Sequence, residues 1–325
     1  MKVIIADVFG QAVMDGLKQD GFELTYDPAL EKESLTQALQ KVQPEVLVVR
    51  STKVPAEMID AASSVKLIIR AGSGVDNIDV KHASEKDVMV ANCPGMNAIA
   101  VAELVMGLML AVDRRIPDGV QLMRDGKWRK GDFVKQPGVY GRTVGCLGFG
   151  FVAQEVAIRA KAFGMNVQTF TIPVIPADLE RTGAKTVDSV EELFKTSDFI
   201  TLHVPKTKTT LRMVNEKLLS LMKPDAVLIN TARGDLVNTA DMETHLKKEK
   251  KFFFASDVHD GEPNAKKADF PASGIVQQPN FYGTHHIGAG TLQAERAVGE
   301  EAGRVIRKFA KDKRILDKNW VNKAL

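Results

Sequence analysis

Short apolar runs alternate with amphipathic stretches along almost the whole chain, and that alternation constrains the fold more than any other feature. KVIIADV, EVLVVR, VKLIIR and DVMVAN come early; RTVGCLG, NVQTFT, DFITLHV, DAVLINT and FFFASDV follow. Such runs are too short for helices and apolar at consecutive positions, so both faces of each need cover. Parallel strands held between two layers of helices meet that demand. Between the runs, stretches such as EKESLTQALQKV and VDSVEELFKTS place apolar residues at helical spacing. The pattern predicts α/β architecture built on doubly wound parallel sheets.

A length of 325 residues suits two such units better than one. The texture breaks near Asn97, where a long apolar helical stretch begins and the polar RDGKWRKGDFVKQPGVYGR follows it. Strand runs resume at Arg142, and a second long helical stretch, TLQAERAVGEEAGRVIRKFA, closes the chain after HHIGAG. The simplest arrangement has the chain crossing twice between units. Residues 1–98, completed by 288–325, form one, and residues 99–287 are inserted as the other.

Charge and cysteine usage narrow the function classes. The net charge is only +3 and basic residues are interspersed with acids, which argues against nucleic acid as a partner. The most basic stretch, RVIRKFAKDKRILDKNW, reads as a solvated helix face. The longest apolar run, AIAVAELVMGLMLAV, carries Glu103 and is too short to span a bilayer, so no membrane partner is expected. Cys93 and Cys146 make neither a disulfide framework nor a zinc pattern. The chain opens directly on a strand pattern, MKVIIADV, so no leader segment is expected and the setting expected is cytoplasmic.

Candidate chemistry begins at CLGFGFVAQEVA. Gly148, Gly150 and Ala153 have the spacing of a dinucleotide-binding turn, set between a strand pattern and a helix pattern. Gly148 permits the tight bend. Gly150 lets backbone amides approach a pyrophosphate at the helix N-terminus, and Ala153 is small enough for close helix–strand packing. An acid about twenty positions further on usually holds a ribose in such folds. The corresponding stretch, NVQTFTIPVIP, contains none.

Ligands in open α/β sheets bind beyond the carboxyl ends of the strands. Arg233 follows the run AVLIN, Asp257 and Glu262 follow FFFAS, and His285 and His286 follow NFYGT. A histidine can move a proton near neutral pH, a carboxylate beside it favours its protonated form, and an arginine can grip a carboxylate in two-point fashion. With a nicotinamide, that set suits hydride transfer at a carbon next to a carboxylate. The paired histidines lack a third ligand at metal spacing, so no metal is expected.

Together these motifs resemble the D-2-hydroxyacid dehydrogenases over nearly the whole chain. RAGSGVDNID is similar to that family's substrate-carboxylate loop, and NCPGMNAIAVAEL to the segment leading into its interdomain helix. GRTVGCLGFGFVAQEVA resembles its cofactor turn, and NTARGDLVN, SDVHDGEP and HHIGAGT its arginine, glutamate and histidine motifs, in family order. The resemblance implies a Rossmann-type cofactor domain inserted in a flavodoxin-like substrate domain. It implies a catalytic set of His286 as proton donor and acceptor, Glu262 as its partner and Arg233 on the substrate carboxylate and carbonyl. Cofactor contacts are implied at Gly148, Gly150, Phe151, Val152, Thr171, His203, Pro205, Thr231, Ala232, Asp257, His286 and Gly288, with Asp257 on the carboxamide. Substrate contacts are implied at Ser73, Gly74, Asn97, Arg233 and His286, and a homodimer built on the cofactor domain is implied as well. The helix from Ala98 to Val112, apolar on more than one face, fits either that dimer or burial inside a monomer.

VVRSTKVPAEMID and IPDGVQLMRDGKWRK resemble the members that oxidise 3-phosphoglycerate on the way to serine, which would set Arg50, Ser51 and Lys53 against a substrate phosphate. A glyoxylate or hydroxypyruvate reductase is the alternative, and a dinucleotide-sensing corepressor a third reading. No C-terminal regulatory extension follows the last helix, so serine feedback is not implied. Several positions depart from the family pattern. Phe151 replaces an arginine near the pyrophosphate, His285 replaces a proline, and Thr171 replaces the ribose-binding aspartate. Losing that charge leaves NAD as the expected cofactor, with NADP admitted.

Overall fold

The computed structural model describes residues 1–263, 268–270 and 274–323. The chain divides into two compact units, residues 1–97 with 290–325, and residues 98–289.

The first unit holds five parallel strands: β1 Lys2–Ile5, β2 Glu23–Tyr26, β3 Val46–Val49, β4 Leu67–Arg70 and β5 Met89–Asn92. Their order, β2-β1-β3-β4-β5, is that of a flavodoxin-like sheet. The doubly apolar runs do what their pattern requires. Val3, Ile5, Val46, Val48, Leu67 and Ile69 enter one core; Ile4, Leu47, Val49 and Ile68 enter another. Successive side chains point to opposite faces, so one strand feeds both layers. The helix Leu292–Asp312 covers the first of these cores with Val298, Ala302, Val305, Ile306 and Phe309, one stripe at helical spacing. Its basic face is paired rather than bare: Lys308 meets Asp312 and Arg307 meets Asp20.

Among the described residues the second unit holds seven parallel strands: β6 Thr143–Leu147, β7 Asn166–Phe170, β8 Lys185–Thr186, β9 Phe199–Leu202, β10 Val227–Asn230, β11 Phe253–Ser256 and β12 Phe281–Gly283. The order, β12-β11-β10-β9-β6-β7-β8, runs in opposite directions on either side of β6 and β9. That reversal is the topological switch point of a Rossmann sheet, where ligands bind. Here too the core splits by face, with Val144, Cys146, Val227 and Ile229 on one side and Leu147, Ile200, Leu202 and Leu228 on the other.

The long apolar helix Ala98–Asp113 buries one broad face, with Val101, Val105, Met106, Met109 and Val112 among its buried residues, and leaves Ile99, Glu103 and Gly107 exposed in a line along the other. Packing inside this unit covers that first face, where Ala102, Val105, Met106, Leu108, Met109 and Val112 join the core. Further exposed apolar side chains lie in the next segment, at Ile116, Val120, Met123, Trp128 and Val134. Among the described residues no helix is long and apolar enough to cross a membrane. Both cysteines are buried thiols pushed up to about 12 by burial, which leaves them protonated and unreactive.

Candidate active site

The glycine turn stands at the switch point, between β6 and the helix Phe151–Ala162. Gly148 has φ +85°, and a Cβ there would lie 3.0 Å from the His203 carbonyl oxygen. Any side chain would thus meet both backbone strain and a wall. The Gly148 amide donates to Phe170 O at 2.9 Å, which ties the turn to β7. Gly150 caps the helix, and a Cβ there would meet nothing within 4 Å. The helix N-terminus is therefore open to an anion, while Ala153 is fully buried against the sheet. Phe151 and Val152 begin the helix; Phe151 is exposed and Val152 packs on the core. Arg181 bonds Gln154, whose amide donates to Phe149 O at 3.0 Å, so a cation is anchored beside the turn.

Thr171 is the residue immediately after β7 and is half-buried. The segment beyond it exposes Ile172, Val174 and Ile175, giving this end an apolar character. His203 follows β9 and donates its amide to Leu147 O at 2.8 Å. Its ring meets Thr201 Oγ1 at 3.0 Å, and burial pushes its pKa down to about 3, so it is a neutral group. Pro205 is exposed two residues on.

Beyond β10, Asn230 organises the next loop. Its Oδ1 accepts from Ala232 N at 3.0 Å and its Nδ2 donates to Arg233 O at 2.8 Å. This turn swings Thr231, Ala232 and Arg233 out past the strand end. Thr231 Oγ1 is buried without a hydrogen-bond partner in the protein. Such an orphan suits a ligand that brings its own polar group. An open helix N-terminus, a turn whose Gly148 admits no side chain and an orphaned hydroxyl at one rim fit a dinucleotide.

Asp257, immediately after β11, is only 1% exposed and holds the histidine loop together. Its Oδ1 accepts from Thr284 Oγ1 at 2.6 Å and Ile287 N at 2.9 Å, and its Oδ2 from Gly288 N at 2.7 Å. Its carbonyl accepts the His286 amide at 2.7 Å. A carboxylate offers about four lone-pair sites, so roughly one remains for an outside donor. The implied carboxamide contact is thus the smaller part of what Asp257 does. His286 is held at φ +53°, a left-handed conformation that a non-glycine residue adopts only when its surroundings impose it.

His286 Nδ1 lies 2.6 Å from Glu262 Oε1. That bond, first of all, raises the His286 pKa above the ordinary imidazole value; burial opposes it, and the charges of Glu262 and Asp257 support it. Burial works to raise the Glu262 carboxyl, but its bond to His286 and the neighbouring charges bring it below the usual range. With Nδ1 bound to the carboxylate, Nε2 is the nitrogen left to give or take a proton. Arg233 lies within electrostatic reach of the same ring and works against its charge. Arg233, Glu262 and His286 therefore do come together at one rim, as the strand-end positions predict. His285 is exposed beside them.

The implied substrate residues of the first unit stand at its own carboxyl rim. Asp7, two residues beyond β1, accepts from the amides of Arg50 at 2.6 Å, Ser51 at 3.0 Å and Thr52 at 3.0 Å, and from Ser51 Oγ at 2.9 Å. Burial works to raise its carboxyl, but these bonds outweigh it and the pKa falls. Ser51 is thus committed to Asp7, and in the same loop Lys53 is exposed while Arg50 is half-buried. Ser73 Oγ donates to Asn97 Oδ1 at 2.7 Å, and Asn92 Nδ2 donates to Ser73 O at 2.7 Å. Gly72, at φ +153°, precedes them; a side chain there would collide with the Arg70 guanidinium. Ser73 and Gly74 are thereby held in a defined loop.

Asp7, Asn230 and Thr284 escape a motif reading, although each is a polar residue at or just beyond the end of an apolar run. Their role is to hold loops in place; the partners of Asp7 and Thr284 are distant in sequence, while Asn230 ties its own turn.

Residues 106–288 match the family described as "D-isomer specific 2-hydroxyacid dehydrogenase, NAD binding domain". The chain is 39% identical over 324 residues to a D-3-phosphoglycerate dehydrogenase of Methanocaldococcus jannaschii, covering 99% of this chain and 59% of that protein. It is 41% identical over 273 residues to a hydroxypyruvate reductase of Thermotoga maritima, covering 84% and 86%. The crystal structure of NAD+-bound 3-phosphoglycerate dehydrogenase from Entamoeba histolytica superposes with a TM-score of 0.81 at 26% identity, over 100% of this chain and 99% of that one.

Proposed function

The chain belongs to the D-isomer specific 2-hydroxyacid dehydrogenase family, and we propose that it interconverts a D-2-hydroxy acid and its 2-oxo form with NAD(P). The observation that carries this reading is the 2.6 Å bond between His286 Nδ1 and Glu262 on the rim that also bears Arg233. The nicotinamide, when bound, supplies or takes up the hydride. In reduction, protonated His286 gives its Nε2 proton to the carbonyl oxygen as the alcohol forms. In oxidation, neutral His286 takes that proton back. Glu262 stabilises the charged imidazole and fixes its orientation. Arg233 grips the substrate carboxylate and polarises the carbonyl. The amides that open the helix Phe151–Ala162 hold the pyrophosphate, and Thr171 meets the ribose.

For the substrate, 3-phosphoglycerate is the reading we adopt, with Arg50 and Lys53 as the phosphate-binding side chains of the first unit. Ser51, held by Asp7, contributes loop order rather than a contact. That commitment leaves fewer phosphate donors and favours, as the second reading, a small unphosphorylated 2-oxo acid such as glyoxylate or hydroxypyruvate. A matrix of these acids against NADH and NADPH tests both readings. Arg50→Ala should lower kcat/KM for the phosphorylated substrate alone. A hundredfold preference for NADPH would overturn the choice of NAD, and absence of any turnover would favour a sensing role.

We further propose a homodimer through residues 116–134 of the cofactor unit, where exposed Ile116, Met123 and Trp128 line a groove of about 910 Å³. Trp128→Glu should shift the sedimentation coefficient to that of a monomer.

A further inference from the structure

A third histidine stands beside the Glu262–His286 pair. His259 Nε2 lies 2.8 Å from the Thr284 carbonyl oxygen. A carbonyl only accepts, so Nε2 carries the proton and the tautomer is fixed. The His259 amide also donates to Glu262 Oε2, at 3.4 Å, while Glu262 Oε1 takes the bond from His286. Thr284, two residues before His286, is anchored in turn by its hydroxyl on Asp257. One residue thus touches the loop that carries Glu262 and the loop that carries His286. Its ring is held edge-on to Phe281 at 6.1 Å between centroids and tilted against Phe270 at 5.3 Å. Its backbone is pressed against Gly234, where any Cβ would collide with it, next to Arg233. Three rim loops therefore meet at His259.

We propose that His259 is a positioning residue: by bonding the Thr284 carbonyl with its ring and Glu262 with its amide, it sets the geometry of the Glu262–His286 pair. This rests on the dehydrogenase reading above. An aromatic ring alone could fill the space between Phe270 and Phe281. What phenylalanine could not do is donate to Thr284. The carbonyl would then lose its partner, and the His286 loop would lose one of three anchors on Thr284, keeping the amide bond to Ser256 O and the hydroxyl bond to Asp257. A displacement of a fraction of an ångström in a catalytic pair costs far more in rate than in stability.

The test compares His259→Phe, which keeps the ring and loses the donor, with His259→Gln, which keeps a donor at similar reach. His259→Leu is a second donor-free variant should the phenylalanine variant not fold. Two quantities are measured: kcat and KM with the 2-oxo acid the unaltered protein reduces, and the His286 imidazole titration followed by NMR. The donor-free variant should lose on the order of 10-fold in kcat with little change in cofactor KM. Its His286 titration should move toward the ordinary imidazole value, and His259→Gln should restore both. A donor-free variant with unaltered kcat and titration overturns the proposal. So do glutamine and phenylalanine variants that are equally slow with His286 titrating as before. If the unaltered protein reduces no 2-oxo acid, the functional reading fails, while the titration still decides the role of His259.

Discussion

Each unit has one acid just beyond a strand end that gathers a loop, and the two acids do different work. Asp7 collects the amides of Arg50, Ser51 and Thr52 in a loop that exposes Lys53. Asp257 collects a hydroxyl and the amides of Ile287 and Gly288, and the loop it shapes carries a titratable ring in a left-handed conformation. Asp7 is half-buried and its loop bonds are mostly to backbone; Asp257 is almost wholly enclosed. The difference teaches that a carboxylate can serve a rim as internal scaffolding while its neighbours face the ligand. It also ranks the two rims: the one with the enclosed acid and the strained histidine has more to lose.

The strongest way to break that ranking is at His286. His286→Gln should lower turnover by on the order of 10³-fold, the span of a lost general acid, with little change in melting temperature. Steady-state kinetics check it, and intact turnover would remove His286 from the chemistry. Next comes Asp257→Ala, which strands the buried Gly288 amide together with the part-buried Thr284 hydroxyl and Ile287 amide. A loss of about 3 kcal/mol in urea unfolding is expected, along with collapse of activity. A stability equal to the unaltered protein would show that Asp257 is not the organiser.

Glu262→Gln sharpens the comparison through pH. Glu262 raises the His286 pKa, and reduction needs the protonated ring. On the proposed function, reduction by the unaltered protein should therefore persist at low pH and be lost as pH rises through that raised value. In the variant the limb should move to lower pH, toward about 6.5. A pH–rate profile that does not move would break the pairing. The smallest effect is expected at Asp7→Asn, about 1 kcal/mol near neutral pH. The Asp7 carboxyl is depressed in the fold, so its contribution is present above its unfolded pKa of about 3.9 and fades as pH falls through the lower folded value. Unfolding curves at a series of pH values should show the two proteins converging at the acid end.

Much of this was legible in the linear chain because strand ends are where short apolar runs stop. Arg233, Asp257, Glu262 and His286 each follow such a run, so a parallel sheet lines them up without further information. The glycine turn was legible for a similar reason, since Gly148 needs its backbone freedom locally. The loop organisers were not. Asp7 and Thr284 gain their meaning from partners far along the chain or in a neighbouring loop. The helix Ala98–Asp113 was ambiguous for another reason: an all-round apolar helix looks the same whether a neighbouring helix or a second copy covers it.

By itself, then, the sequence determined the layer architecture, the switch-point turn and the identity of the charged groups at the rims, because periodicity and local backbone needs are written residue by residue. Only the tertiary structure decided which nitrogen of His286 is left for chemistry, that Ser51 serves Asp7, and that His259 touches both Glu262 and the loop of His286. Those are matters of distances between loops that no spacing along the chain encodes. They depend on how separate strand ends, brought side by side by the sheet, divide a few hydrogen-bond donors among a few buried acceptors.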